Sequence, residues 1–229
     1  MGKIVLIVGA GTGLSASLAK IFSSEGMSVA LAARNIQKFS KIAKETKSQS
    51  YACDASNPAE VNRLFSEVKV KLGIPDVVIY NPSYRVQGPL IELNPQEVAQ
   101  AIKITAFGAF LVAQEAARGM LQKGSGNIQF TGASASVRGY PRSAPFAMGK
   151  FAMRGLAQSL ARELHPKNIH ISHFIIDGSI ESKRHIHTSE SPDSLLNPDA
   201  IAKIYLETTR QHRSAWAWET ELRPWVEPF

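Results

Sequence analysis

Cysteine is almost absent: Cys53 is the only one in 229 residues, which excludes a disulfide framework and a zinc site built on paired cysteines. Such a chain suits a reducing compartment, and a cytoplasmic location is expected. No apolar run reaches about 20 residues, so neither a membrane-spanning helix nor a membrane partner is expected. The opening MGKIVLIVGAG is apolar, but glycines interrupt it and no small-residue cleavage site follows, so it does not read as a signal peptide. Acidic residues are also in deficit, 19 against 26 Lys and Arg, for a formal net charge of +7. Clustered cations would suggest phosphate contacts with nucleic acid, but Lys38, Lys41, Lys44 and Lys47 recur every third residue along an expected helix. That spacing describes a solvated helix face, and no nucleic-acid partner is expected.

With 44% hydrophobic and 20% charged residues, disorder, collagen and coiled coil are excluded, and the length suits a single domain spanning 1–229. Apolar runs rich in β-branched residues, at 3–8, 28–33, 50–53, 76–80, 127–132, 169–175 and 215–220, alternate with helical patterns. The helices are expected at 13–25, 36–47, 58–72, 95–121, 143–165 and 198–211, with Asn57-Pro58 and Asn197-Pro198 as cap-and-first-turn signals. The alternation predicts α/β architecture: a Rossmann-like, doubly wound parallel sheet of about seven strands in a three-layer α/β/α sandwich. The expected strand order is 3-2-1-4-5-6, extended by a seventh. The polar segment 178–197 follows the sixth strand and would form a mobile lid over the carboxyl ends of the strands, where open α/β sheets bind ligands.

The run Val8-Gly9-Ala10-Gly11-Thr12-Gly13-Leu14-Ser15 places glycines after a buried strand and before a helix. Glycine permits the tight turn and the close approach of a pyrophosphate, and the N–H groups at the helix start attract its charge. This context points to a dinucleotide. The second strand ends Ala33-Arg34-Asn35, with no acid to hold a free ribose 2′-hydroxyl. Arg34 stands there instead, and a guanidinium pairs with a 2′-phosphate, so NADP (NADPH) is favoured over NAD.

With these motifs the chain resembles the short-chain dehydrogenase/reductase family along nearly its whole length. Gly9 and Gly13 match the family's first two loop glycines, Ser15 stands for the last, and Asp54 matches the aspartate that contacts adenine. Asn81 keeps one Asn of the NNAG motif, and Gly178 matches the glycine of the PG motif. The resemblance implies a cofactor site formed by Gly9, Gly11, Thr12, Gly13, Leu14, Arg34, Asp54, Ala55, Asn81, Lys150, Gly178 and Ile180. The family's chemistry uses Asn, Ser, Tyr and Lys, and here Thr105, Ala133 and Phe146 occupy the first three positions. Only Lys150 remains, and in the family this lysine also binds the nicotinamide ribose. Phe146 can give no proton and Ala133 no hydrogen bond, and losing a positioned general acid costs about 10²–10⁴ in rate.

Substitute donors are Ser134, one residue from the serine position, and Tyr140, in the loop before the helix. Strand neighbours point to opposite faces, so Ser134 would need irregular backbone past Gly132 to reach the site. Tyr80, His185 and His187 are further candidates, ordinary packing being the alternative for the two tyrosines and a lid or surface place for the histidines. No metal site is expected: His170 and His173 differ by an odd number along one strand and face opposite sides, and His165, His185 and His187 show no convergent spacing. The implied function is an atypical NADP-binding oxidoreductase that moves hydride to or from a small carbonyl or alcohol with a non-standard proton donor. The alternative is a catalytically silent NADP-binding sensor. The alanine-rich stretches 97–118 and 146–163 permit close helix packing, and by resemblance a homodimer or homotetramer is expected.

Overall fold

The computed structural model of the chain describes residues 2–182, 185 and 193–227. Its centre is a seven-stranded sheet of β1 (Ile4–Val8), β2 (Ser28–Ala33), β3 (Gln49–Ala52), β4 (Val77–Tyr80), β5 (Gly126–Thr131), β6 (Ile169–Ile176) and β7 (Glu219–Leu222). The order is β3-β2-β1-β4-β5-β6-β7 with every pairing parallel, as the alternation of strand and helix patterns predicts. The central strands IVLIV and VVIY are buried throughout, because helices cover both faces. On one face lie α3 (Pro58–Lys71), α5 (Gly108–Lys123) and α6 (Ala144–Leu164), packing Val61, Leu64, Val112 and Met153 into one core. On the other lie α1 (Leu14–Ser24), α2 (Ser40–Glu45) and α7 (Pro198–Thr208), with Leu18, Ile42 and Ile201 in a second core.

Helix starts follow local chemistry. The side chains of Asn57, Asn94 and Asn197 accept from the first free N–H groups of α3, α4 (Pro95–Ile102) and α7, each followed by proline at the first helical position. Val8 pairs with Ala32 on one side and Tyr80 on the other, so the carboxyl ends of β1, β2 and β4 open side by side.

Three expectations need correction. The single helix expected at 95–121 is α4, a π turn at Lys103–Phe107, and α5. The Tyr80 hydroxyl donates to the Ile104 carbonyl in this wider turn. The helix expected at 36–47 begins as a 3-10 turn at Ile36–Phe39, capped by the Asn35 side chain, before α2. The last strand begins at Glu219, not near residue 215. Trp216 instead stacks flat on His170, with ring centroids 4.5 Å apart, and its Nε1 donates to the Gln211 carbonyl.

Candidate active site

The loop between β1 and α1 turns on Gly9, whose φ is +85°. A Cβ there would lie 2.7 Å from the Pro82 nitrogen, so strain and space both require glycine. The N–H groups of Gly9 and Ala10 donate to the Ala32 carbonyl at 2.9 and 3.0 Å, tying the loop to β2. Gly11 and Gly13 face open space, with nothing within 4 Å of a built Cβ. No side chain caps α1 at Gly13, so Thr12, Gly13 and Leu14 bring an uncapped helix start to the loop. Ser15 is buried; its hydroxyl donates to the Gly9 carbonyl at 3.0 Å and accepts from Asn81 Nδ2 at 2.8 Å. Asn81 therefore braces the loop from the end of β4.

Beside this loop a cleft of about 580 Å³ is lined by Gly9, Arg34, Lys38, Asp54, Ala55 and Asn81, among others. Arg34 is exposed at the end of β2 and makes no ion pair with a described carboxylate. Asp54 Oδ1 accepts from the N–H and the hydroxyl of Ser56 at 2.9 and 2.7 Å. Burial alone would raise this carboxyl, but those two bonds and the charges of Arg34 and Lys103 outweigh it and hold the group below its usual value.

At the far end of β5, Lys150 on α6 is 3% exposed and its Nζ donates to the Thr131 carbonyl at 2.6 Å. Burial pushes this amine down to about 7. One turn earlier stands Phe146, its ring centroid 5.8 Å from Lys150 Nζ and 5.3 Å from the Arg85 guanidinium carbon. Thr105 is buried in the π turn, where its Oγ1 accepts from the Tyr84 N–H at 3.4 Å. It packs against Gly149, whose built Cβ would lie 2.9 Å from Thr105 Cβ. Ala133 is extended, and its N–H donates to Ser136 Oγ at 3.1 Å. Lys150, Phe146, Thr105 and the end of β5 thus form one cluster.

A family profile described as short chain dehydrogenase matches residues 3–190. The chain belongs to the short-chain dehydrogenase family. An uncharacterized oxidoreductase of Caenorhabditis elegans is 32% identical over 171 residues, 71% of this chain and 54% of that protein, so the chain spans about half that relative's length. A crystal structure of a short-chain dehydrogenase from Rhodopseudomonas palustris superposes with a TM-score of 0.86 at 34% identity, covering 97% of this chain and 99% of that one. The fold is shared by an alcohol dehydrogenase from the archaeon Thermococcus sibiricus, complexed with 5-hydroxy-NADP, at a TM-score of 0.87 and 21% identity over 100% of this chain and 99% of that one.

Within this short-chain dehydrogenase fold, the expected substitute donors are dispersed. Ser134 opens a short turn after Gly132 and lies near Asp177 at the end of β6. Asp177 also pairs with Arg138, and with Arg223 at 2.8 Å; although burial would raise its carboxyl, these partners hold it below the usual range. Tyr140 is 46% exposed, with its ring centroid 6.0 Å from the Arg138 guanidinium carbon. Tyr80 is fully buried with its hydroxyl on the Ile104 carbonyl, which is the packing alternative, and burial raises the phenol further. His185 pairs through its backbone with Ser182, and His187 lies outside the described residues. Gly178 has φ +151° and its built Cβ would lie 2.8 Å from Pro224 Cδ, while Ile180 bridges to Leu196.

His170 and His173 do face opposite sides of β6: the first stacks on Trp216, and the second turns its Nδ1 to Glu219 at 3.1 Å. Burial depresses both rings to about 4, so both are neutral at ordinary pH. Among the described residues, no three His, Cys, Asp or Glu side chains converge as a metal site, and no helix is long and apolar enough to cross a membrane. Sequence reasoning missed Lys38 in the cleft and Arg85 over Phe146. The first has a readable signal, four residues after Arg34; the second has none in the sequence.

Proposed function

We propose that this chain binds NADP(H) and is an atypical oxidoreductase that interconverts a small carbonyl compound and its alcohol, with Lys150 replacing the missing tyrosine as proton donor. The observation that carries this reading is the buried Lys150 amine, held at the end of β5 beside Phe146 and depressed to about 7. An ammonium with that value is partly protonated at neutral pH and matched to protonate a developing alkoxide. The site supports the cofactor by its own features: the Gly9 turn, the bare Gly11 and Gly13, and the uncapped start of α1 suit a pyrophosphate. Asp54 has its second carboxylate oxygen free of hydrogen bonds to described residues and can receive an adenine amine. Arg34 and Lys38 supply two cations where a 2′-phosphate would lie, which favours NADPH. When bound, the dinucleotide supplies or takes the hydride.

Without a tyrosine hydroxyl or a serine donor, turnover is expected well below that of a complete tetrad. The catalytically silent sensor draws support from one observation: the Tyr140 ring lies against the Arg138 guanidinium, and Ser134 lies near Asp177, which Arg138 and Arg223 already hold. Fluorescence titration with NADPH and NADH, followed by NADPH oxidation over a panel of aldehydes, ketones and diketones, separates the readings. Tight NADPH binding with slow, sustained oxidation supports the enzyme, and binding without any oxidation supports the sensor. A homodimer or homotetramer is proposed on the exposed faces of α5, the π turn before it and α6, where Phe107, Phe110, Met148 and Phe151 are each at least 41% exposed. A cytoplasmic location is proposed with it, and the partner is a small molecule rather than nucleic acid.

A further inference from the structure

Arg85 lies on the loop that follows β4, at the carboxyl ends of the strands. Its guanidinium carbon sits 5.3 Å from the centroid of Phe146, within the range of a cation–π contact. The side chain is exposed and forms no ion pair with a described carboxylate. Arg142, on the facing loop before α6, likewise has no such pair, and the two loops are joined where the Gly88 N–H donates to the Arg142 carbonyl at 2.9 Å. Lys150 adds a second cationic group near the Phe146 ring. Asp177, the carboxylate at the end of β6, is shared between Arg138 and Arg223 and leaves this charge uncompensated.

A guanidinium is too basic to act as a proton donor, so Arg85 cannot replace the tyrosine chemically. Its planar fork of donors instead matches a carboxylate, and the Phe146 ring holds it in place at little entropic cost. A neutral carbonyl compound would leave that fork to water; a carboxylate next to the reacting carbonyl would fill it. We propose that Arg85 anchors the carboxylate of a short oxo acid or its hydroxy-acid counterpart, whose carboxylate is adjacent to the reacting carbon. This inference rests on the proposed function, because it takes Phe146 and Lys150 to mark the reacting end.

The test is calorimetric titration of the full chain saturated with NADP⁺, using benzoylformate, its neutral amide and phenyl phosphate as probes. Benzoylformate is expected to bind at least about tenfold tighter than the amide, the worth of a charge-assisted hydrogen bond. Arg85→Gln should remove that preference with NADP⁺ affinity unchanged, and Arg85→Lys should keep part of it. Equal binding of acid and amide, or a preference that survives in Arg85→Gln, overturns the inference while the cofactor reading stands. Phenyl phosphate binding tighter than benzoylformate overturns the carboxylate assignment in favour of a phosphate ester. Failure of wild type to bind NADP⁺ at all overturns the cofactor reading and this inference with it.

Discussion

Removing the Lys150 amine should change how stability depends on pH. Its folded value of about 7 lies well below the roughly 10.4 of a lysine in an unfolded chain. Between those values the unfolded state binds more protons, so stability rises with pH; the deficit is full below about pH 7 and gone above about 10.4. Over most of that window the slope is about 1.4 kcal/mol per pH unit. Lys150→Met keeps the apolar stem, the helix propensity and most of the volume, and it has no proton to titrate. It leaves the Thr131 carbonyl without its partner, a cost of about 1–3 kcal/mol that does not vary with pH.

Urea unfolding at pH 7.5 and 9.5 should therefore show wild type gaining roughly 2–3 kcal/mol relative to Lys150→Met. Cys53, pushed up to about 12 by burial, titrates in both proteins and cancels from the difference. Parallel pH dependences for the two proteins would refute the reasoning and return Lys150 to water.

Three further outcomes are expected. Arg34→Asp should reverse a preference for NADPH over NADH, and Lys38→Gln should weaken NADPH several-fold while sparing NADH, both read by fluorescence titration; equal affinities in wild type would remove the claim. Phe146→Tyr returns a hydroxyl one helical turn before Lys150 and should raise NADPH-dependent reduction by about tenfold or more. No change in rate would mean that the donor is not missing at this position. Tyr80→Phe should lower the urea midpoint by the equivalent of about 1–3 kcal/mol, because it strands the Ile104 carbonyl inside the π turn; a neutral substitution would show that water replaces the phenol.

The parallel sheet was legible because β1 and β4 are buried on both faces and read as uninterrupted apolar runs. The Asn-Pro pairs at Asn57 and Asn197 marked helix starts because a cap and a fixed φ act within a few residues. The break between α4 and α5 was not legible. A π turn needs no proline, and its partner, the Tyr80 hydroxyl, is 24 residues away in sequence. The last strand was misplaced because Trp216 and Trp218 look strand-like, whereas Trp216 is held by stacking on His170, which only the fold brings near. Lys38 was read as one of four solvated lysines, since a helix with even spacing was expected and the 3-10 turn at Ile36–Phe39 was not. Ser134 lies near Asp177, 43 residues on, and no local rule reaches that far.

The Ser15–Asn81 bond couples two positions 66 residues apart in sequence. A change of Ser15 to glycine alone would leave the Asn81 amide without its nearest acceptor and the Gly9 carbonyl without a hydroxyl donor. A change of Asn81 alone would likewise strip the serine of its donor. Substitutions at Ser15 and Asn81 are therefore expected to be non-additive, and a double-mutant cycle on the two reads the bond directly.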